Sequence, residues 1–182
     1  MRTLKLEKSV GVRVWIDELP DAIYPAVRTI SNRDSASGQS PKTPNIAAIE
    51  VFLPLGPRSM YGLLGGQWFP NATGEFTMNV YISSENERFF EGCLGCGNDE
   101  VRVGLPAQYA KGVMDGLDLA KTELKNAFTS GNLLINCAAH GNIGSCEAVF
   151  KHLTAILIKL FNTVGNDPTD EDLIKLLPSR FD

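Results

Sequence analysis

The residues best suited to chemistry in this 182-residue chain are its four cysteines and two histidines, most of which fall in two short motifs. Cys93 and Cys96 form a C-x-x-C pair, and Cys137 and His140 form a C-x-x-H pair. Three thiolates and one imidazole can hold structural zinc tetrahedrally. Residues 97–136 separate the two pairs, a longer interval than in compact zinc fingers. A zinc-stabilised domain is therefore an alternative and not the leading interpretation.

Nucleophilic catalysis is a second possibility at the same place. His140 could act as a general base for one of three nearby nucleophiles, which are Cys137, Ser145 and Cys146. A helix that begins near Ser145 could also bind an anion through its first N–H groups. No orienting acid is identified, because Glu147 falls in the first turn of that helix and is expected to cap it. The chain is not assigned as an enzyme, and an enzyme or small-ligand site in the turn 137–147 stays an alternative.

Charge and composition limit the classes of function. The chain has 17 Lys+Arg against 21 Asp+Glu, a net charge of −4, which argues against a general nucleic-acid binder but not against a small basic patch. No apolar run reaches the ~18–20 residues of a membrane span, and the first residues lack a signal-peptide pattern. We therefore expect a cytoplasmic protein without membrane contact, whose cysteines are thiols. No motif indicates a cofactor.

The elements that must position these residues begin with a predicted hairpin. Polar and apolar residues alternate over 3–16, which predicts two strands joined around Lys8–Ser9. Residues 31–45 hold almost nothing that can be buried, which predicts a long loop or linker. The predicted organisation is a hairpin and flexible linker over 1–45, followed by a sandwich domain over 46–182.

The later part of the chain predicts the α+β class. Strands are expected at 46–54, 75–83, 100–105 and 132–138, and helices at 106–130 and 145–162. This β-β-β-α-β-α order predicts a two-layer α/β sandwich, with both helices on one face of one sheet. Gly112 and Gly116 are expected to let the first helix lie close to the sheet. Thr169 and Asp172 predict the start of a short acidic C-terminal helix that Pro178 ends.

The stretch 56–74 is rich in glycine, proline and aromatic residues, and no element is assigned to it. Two interpretations of Trp68 and Phe69 stay open. If exposed, they could anchor a partner, and if buried, they would cover an edge of the sheet. Because the first interpretation gives Trp68 a binding role, it is included among the candidate contact residues.

Two segments carry a family resemblance. In the first, a glycine-rich strand end leads into a Pro-x-x-Tyr helix start with valine and glycine at helical spacing. Its matching residues are Pro106, Tyr109, Val113, Gly116 and Ala120. In the second, small residues precede a glutamate and a helix that carries phenylalanine, matched by Ser145, Glu147 and Phe150. Together these segments resemble domain IV of the translational GTPase elongation factor G, over about residues 99–162.

The resemblance implies a fold and a contact surface. The fold is a two-layer sandwich with an unusual left-handed β-α-β crossover, against the general right-handed preference. In that family the loop between the last strand and the last helix is a tip that reaches ribosomal RNA, which implies a tip at residues 139–143 here. This tip has no lysine or arginine, so we do not expect it to contact phosphate. No P-loop motif occurs, so no GTPase is implied.

The leading prediction is therefore a non-enzymatic binding module that resembles this domain. Its partner would be an unidentified macromolecule or a second copy of the chain. The candidate contact residues are His140, Gly141, Asn142, Ile143 and Trp68.

Overall fold

The fold is given by a computed structural model of the chain, which describes residues 1–6, 10–36, 45–71, 73–85, 87–125, 129–163 and 168–178. Its strands are β1 (Arg2–Lys5), β2 (Gly11–Ile16), β3 (Arg28–Ser35), β4 (Ile46–Leu55), β5 (Arg58–Phe69), β6 (Glu75–Ile82), β7 (Val101–Val103) and β8 (Gly131–Gly141). Its α-helices are α1 (Ala110–Leu124), α2 (Glu147–Thr163) and α3 (Asp170–Leu176). The predicted α+β class is confirmed, since the described residues form one mixed sheet of eight strands with these three helices.

β8 is an interior strand of the sheet, whose order is β1-β2-β4-β5-β8-β6-β3. One side of β8 pairs with β5 along most of its length. Its other side pairs first with β6 in parallel, then with a bridge at Ile23, and finally with β7 in antiparallel. The apolar run of β8 predicted this interior position, which is confirmed. The parallel strands β6 and β8 are connected through α1, which makes a β-α-β crossover. The left-handed sense of this crossover stays a prediction.

The first three strands belong to the same sheet. The predicted hairpin is confirmed, because β1 and β2 pair in antiparallel, while its turn at Lys8–Ser9 lies outside the described residues. The loop expected at 31–45 is wrong for residues 31–35, which extend β3 against β6. β3 is an edge strand with one exposed side, so its polar side chains can face water. Residues 37–44 of that predicted loop lie outside the described part.

The stretch left unassigned from 56 to 74 contains β5, the longest strand. Its glycines allow close approach of neighbours on both sides. A Cβ on Gly62 would lie 2.7 Å from Val149 of α2, and one on Gly66 would lie 2.2 Å from the Leu134 carbonyl oxygen. The residues that obscure the strand pattern are therefore the ones that let β5 fit between α2 and β8.

The helices α1 and α2 pack directly against each other, also through glycine. A Cβ on Gly112 would lie 2.2 Å from the Glu147 carbonyl oxygen, and one on Gly116 would lie 2.4 Å from the Lys151 carbonyl oxygen. The expectation that these glycines face the sheet is wrong, since they bring α1 against the α2 backbone. The helix itself ends at Leu124, earlier than expected, and residues 126–128 lie outside the described part.

Both helices lie on the same face of the sheet. α2 packs on β5 and β4, and its Phe161 contacts the Trp68 indole of β5, with ring centroids 5.7 Å apart. α1 reaches the far edge, where Lys121 forms an ion pair with Asp34 of β3. The face that we call the helix face is thus covered from β4 to β3.

The C-terminal helix α3 begins as predicted. The Thr169 hydroxyl accepts a hydrogen bond from the Asp172 amide at 3.2 Å, and the Asp172 carboxylate accepts one from the Thr169 amide at 3.2 Å. This reciprocal capping box satisfies amides that the first turn would otherwise leave unpaired. Among the described residues, no helix is both long and apolar enough to cross a membrane.

Candidate functional site

The candidate site lies at the end of β8, where the sheet extends beyond its helix cover. There, β8 pairs with β7, and β7 bridges to Phe89, so Phe89, Arg102 and His140 are aligned across three neighbouring segments. Residues directly opposite each other in antiparallel pairs share a face. His140 lies beside the Tyr109 ring, with centroids 5.7 Å apart, so this row is on the helix face.

A cavity of about 370 Å³ opens over this row. The helix cover stops at Tyr109, whose ring stacks on Phe150 of α2 at 4.9 Å between centroids. Beyond it no helix of the described residues covers the row. The cavity is lined by Glu85, Glu100, Arg102, Pro106, Gln108, Tyr109, His140 and Asn142.

His140 lines this cavity with only 7% of its surface exposed, as does Tyr109. Its Nδ1 lies 3.1 Å from the Gly104 carbonyl oxygen. Because a carbonyl only accepts, Nδ1 carries the proton in the neutral ring and Nε2 holds a lone pair. Burial lowers the pKa of His140, and the Arg102 charge adds to this, against the opposing effects of the Gly104 hydrogen bond and Asp99. The ring is therefore neutral at pH 7, and Nε2 is a hydrogen-bond acceptor.

The Arg102 guanidinium is held by three hydrogen bonds and one aromatic ring. Its Nη2 and Nε donate to Oε1 of Glu100 at 2.7 and 3.2 Å, and its Nη1 donates to the Glu87 carbonyl oxygen at 3.2 Å. The guanidinium also lies 4.2 Å from the centre of the Phe89 ring. This cation is thus held in place by its own neighbours, and its charge is paired with that of Glu100.

The turn that follows β8 is fixed by side chains from other elements. The Asp99 carboxylate accepts hydrogen bonds from the amides of Ile143 at 3.0 Å and Gly144 at 2.7 Å. The Ser145 hydroxyl accepts from the Gly141 amide at 2.9 Å and donates to the Tyr61 carbonyl oxygen at 2.7 Å. On this anchored turn the Ile143 side chain is 81% exposed.

The predicted contact residues divide into exposed and buried ones. Asn142 and Ile143 are exposed, while His140 and Gly141 are buried below them. The contact role for Trp68 is wrong, because its side chain is 1% exposed and packs between Phe76 and Phe161. The alternative interpretation is right about the burial of Trp68 but wrong about a sheet edge, because β5 is an interior strand paired with β4 and β8, and Phe69 is 47% exposed.

The cysteines do not form the zinc set. Cys93 and Cys96 form a disulfide, so the expectation of four thiols is wrong for this pair. The turn between them brings their Cα atoms to 5.2 Å, within the usual range for such a bond. The Cys137 sulfur lies 3.8 Å from the Pro20 carbonyl oxygen, and His140 is bound to Gly104. No metal-binding group of three or more His, Cys, Asp or Glu occurs among the described residues.

The nucleophile predicted beside His140 is not in place. The Ser145 hydroxyl is engaged in the turn, and Cys137 lies next to Pro20. Burial raises the pKa of the Cys137 thiol to about 12, which disfavours the reactive thiolate. Cys146, the third candidate, is a free and exposed cysteine. Within the described part of the chain, no hydrogen bond joins His140 to Cys137, Ser145 or Cys146.

Sequence reasoning missed the charged residues that line and support the site. Asp99, Glu100 and Arg102 lie in the short segment around β7, which the pattern identified only as a strand. The alternation of Glu100, Val101, Arg102 and Val103 could have placed Glu100 and Arg102 on one polar face of the strand. Nothing local indicated that Asp99 would bind the amides after β8.

No protein-family model, no curated protein and no solved structure matches this chain. The likeness to domain IV of elongation factor G therefore stays a prediction that rests on the quoted residues.

Proposed function

We propose that this protein is a non-enzymatic binding module whose contact surface is the end of β8, formed by Asn142, Ile143 and the mouth of the cavity. The observation that carries the proposal is Ile143, an aliphatic side chain that is 81% exposed on a turn fixed by Asp99 and Ser145. A turn whose backbone is already held in place loses less conformational entropy when it enters an interface than a flexible one does.

The chemistry of the surface favours a protein partner. The turn carries no lysine or arginine, and the nearby Arg102 is engaged by Glu100 and Glu87. Such a surface has no cation to offer to a phosphate backbone. An exposed aliphatic residue beside polar groups is instead typical of the centre and rim of a protein interface.

The absence of a catalytic pair supports binding rather than catalysis. His140 is placed as a hydrogen-bond acceptor, yet within the described residues its hydrogen-bond partner is none of the three candidate nucleophiles, Cys137, Ser145 and Cys146. The resemblance to domain IV of elongation factor G, in which the equivalent turn is the contact tip, supports the same location. The domain-IV-like relationship remains part of the proposal.

Capture of partners by the immobilised full chain, with Ile143→Asp as the variant, tests the proposal. The matched control is Phe69→Asp, which changes an apolar residue 47% exposed at the opposite end of the β5–β8 pair. We expect Ile143→Asp to lower retention of a specific protein roughly tenfold or more, and Phe69→Asp to leave it unchanged.

Sedimentation of the purified chain over a range of concentrations distinguishes a second copy from another protein as the partner. Self-association that Ile143→Asp removes would identify the second copy. Equal retention and equal sedimentation of the wild type and Ile143→Asp would contradict the proposal.

A further inference from the structure

We propose that the cavity beside Ile143 receives a cationic side chain, lysine or arginine, from the partner protein. This inference rests on the proposed function, since it names the chemistry of the partner at the same surface. The cavity would hold the charged group, and the exposed apolar residues around its mouth would contact the rest of the partner segment.

Three acceptors in the cavity are available to an entering donor, beside the Gln108 and Asn142 amides and the Tyr109 hydroxyl, which can both donate and accept. His140 offers the Nε2 lone pair, because its Nδ1 is bound to Gly104. Glu100 uses only Oε1 to bind Arg102 and leaves Oε2 without a hydrogen bond among the described residues. Glu85 forms no ion pair within the described part of the chain. An ammonium or guanidinium group, which only donates hydrogen bonds, is the complement of such a set.

The balance of charge points the same way. Two carboxylates, Glu85 and Glu100, and one guanidinium, Arg102, line the cavity. Because Arg102 is paired with Glu100, the charge of the second carboxylate, Glu85, is uncompensated within the lining, and the balance is negative. An anionic ligand would meet the carboxylates without a free cation to oppose them.

The buried histidine distinguishes this cavity from an ordinary acidic surface patch. His140 is 7% exposed and yet lines the cavity, and among the described residues its Nε2 has no hydrogen-bond partner. Among the described residues, the buried side-chain atoms without a partner are Trp68 Nε1 and Asn136 Oδ1, so the His140 Nε2 lone pair is open to the cavity. A donor that enters the cavity can therefore bind an acceptor whose ring is held in place by the Gly104 hydrogen bond.

The mouth of the cavity suits the aliphatic part of a long cationic side chain. Phe89 is 52% exposed and is aligned with Arg102, and Ile143 follows Asn142, which lines the opening. Lysine and arginine side chains place their methylene groups on apolar surface while the charged end reaches polar groups. Both parts of such a side chain therefore find a complementary surface.

Titration of the ¹⁵N-labelled full chain tests the inference, with the amides of residues 139–143 and the His140 ring nitrogens observed by NMR. The probes are Nα-acetyl-lysine methylamide and Nα-acetyl-arginine methylamide, and the neutral control is Nα-acetyl-norleucine methylamide. We expect saturable shifts with both cationic probes and none with the norleucine compound.

The matched variants are Glu85→Gln, inside the cavity, and Glu91→Gln, an exposed glutamate outside its lining. Glu85→Gln should weaken binding of the cationic probes roughly fivefold or more, and Glu91→Gln less than about twofold. Equal shifts with the norleucine compound, equal effects of the two variants, or no saturable shift with the cationic probes would each overturn the inference.

Failure of this inference and failure of the proposed function have different signatures. If Ile143→Asp abolishes capture of a protein partner while Glu85→Gln leaves capture unchanged, the proposed contact surface is supported. The inference that the cavity receives a cationic side chain is then wrong. If the lysine probe binds but Ile143→Asp leaves capture unchanged, the cavity has its own ligand and the proposed function is wrong.

Discussion

The two ends of β8 differ although they belong to one strand and one sheet. At its start, Gly131 is pressed against the Trp68 ring so closely that a Cβ would lie 2.6 Å from the indole, and Phe76 and Phe161 close the packing. At its end, His140 faces a cavity of about 370 Å³. The difference follows from the helix layer, which covers the start and stops at Tyr109.

This contrast separates stability from binding within one element. The start of β8 buries large apolar side chains, which is the main source of folding free energy. The end of β8 leaves a neutral imidazole and two carboxylates at a cavity and exposes an isoleucine. Changes at the start should therefore unfold the protein, whereas changes at the end should alter its contacts and leave the fold in place.

The largest effect is expected for Trp68→Ala. Removing this buried indole should lower the free energy of unfolding by about 3–5 kcal/mol, because it leaves a cavity between β5, β6 and α2. Ile143→Ala at the other end should change it by no more than about 0.5 kcal/mol. Denaturant unfolding measures both, and a comparable loss for the two variants would remove the contrast.

A matched pair of glycine substitutions tests the same contrast with smaller effects. Gly131→Ala forces a Cβ into the Trp68 ring, and we expect a loss of about 1–3 kcal/mol in unfolding free energy. Gly141→Ala places a Cβ 2.2 Å from Oδ2 of Asp99, so it should displace that carboxylate from the turn. For Gly141→Ala we expect faster hydrogen exchange of the Ile143 and Gly144 amides. Its loss of unfolding free energy should be smaller than that of Gly131→Ala.

Asp99→Ala should loosen the turn without unfolding the sheet. The variant removes the acceptor for three amides, those of Glu100, Ile143 and Gly144, and we expect a loss of about 1–2 kcal/mol because a charged acceptor contributes more than a neutral one. Hydrogen exchange should quicken at these amides, while those of Leu133 and Ile135 keep their protection. Loss of protection along the whole of β8 would show that the turn supports the entire strand.

The smallest effect is a pH dependence from His140. Its pKa is lowered in the folded protein, first by burial, while the unfolded chain has the ordinary value of 6.5. The unfolded state therefore binds the proton first as the pH falls. The associated stability is complete above about pH 6.5 and is lost as the pH falls through the folded-state pKa. Urea unfolding from pH 7.5 to 5.5 should show a steeper decline of the unfolding free energy for the wild type than for His140→Gln. Identical slopes for the two proteins would contradict a contribution from His140.

Sequence patterns predicted the elements with local signals and missed those set by distant contacts. α3 follows from the capping box at Thr169, and β6 from the alternation of Phe76, Met78, Val80 and Ile82. β5 was missed because Gly62 and Gly66 interrupt the strand pattern. These glycines are required by close contacts with α2 and β8, which the sequence does not show. A glycine chosen for a tertiary contact looks, in the sequence, like one chosen for a turn.

The candidate site was predicted in part for the same reason. The turn after β8 and its residues His140 to Ile143 were located from the strand-to-helix transition. The cavity was not, because it depends on where α1 starts relative to β7 and on a bridge between Phe89 and Arg102. The role of Gly112 and Gly116 was misjudged likewise, since periodicity shows that a helix face is buried but not which element covers it.

The interior position of β8 has a consequence for the synthesis of the protein on the ribosome. Before residues 131–141 are synthesised, β1, β2, β4 and β5 can assemble as one partial sheet, and β6 and β3 as another. Each partial sheet then presents an open edge, on β5 and on β6, to whatever other chain is near. The nascent polypeptide is thus most vulnerable to aggregation in the interval before β8 is synthesised. A pause in translation at that point would lengthen the time for which the β5 and β6 edges are unpaired.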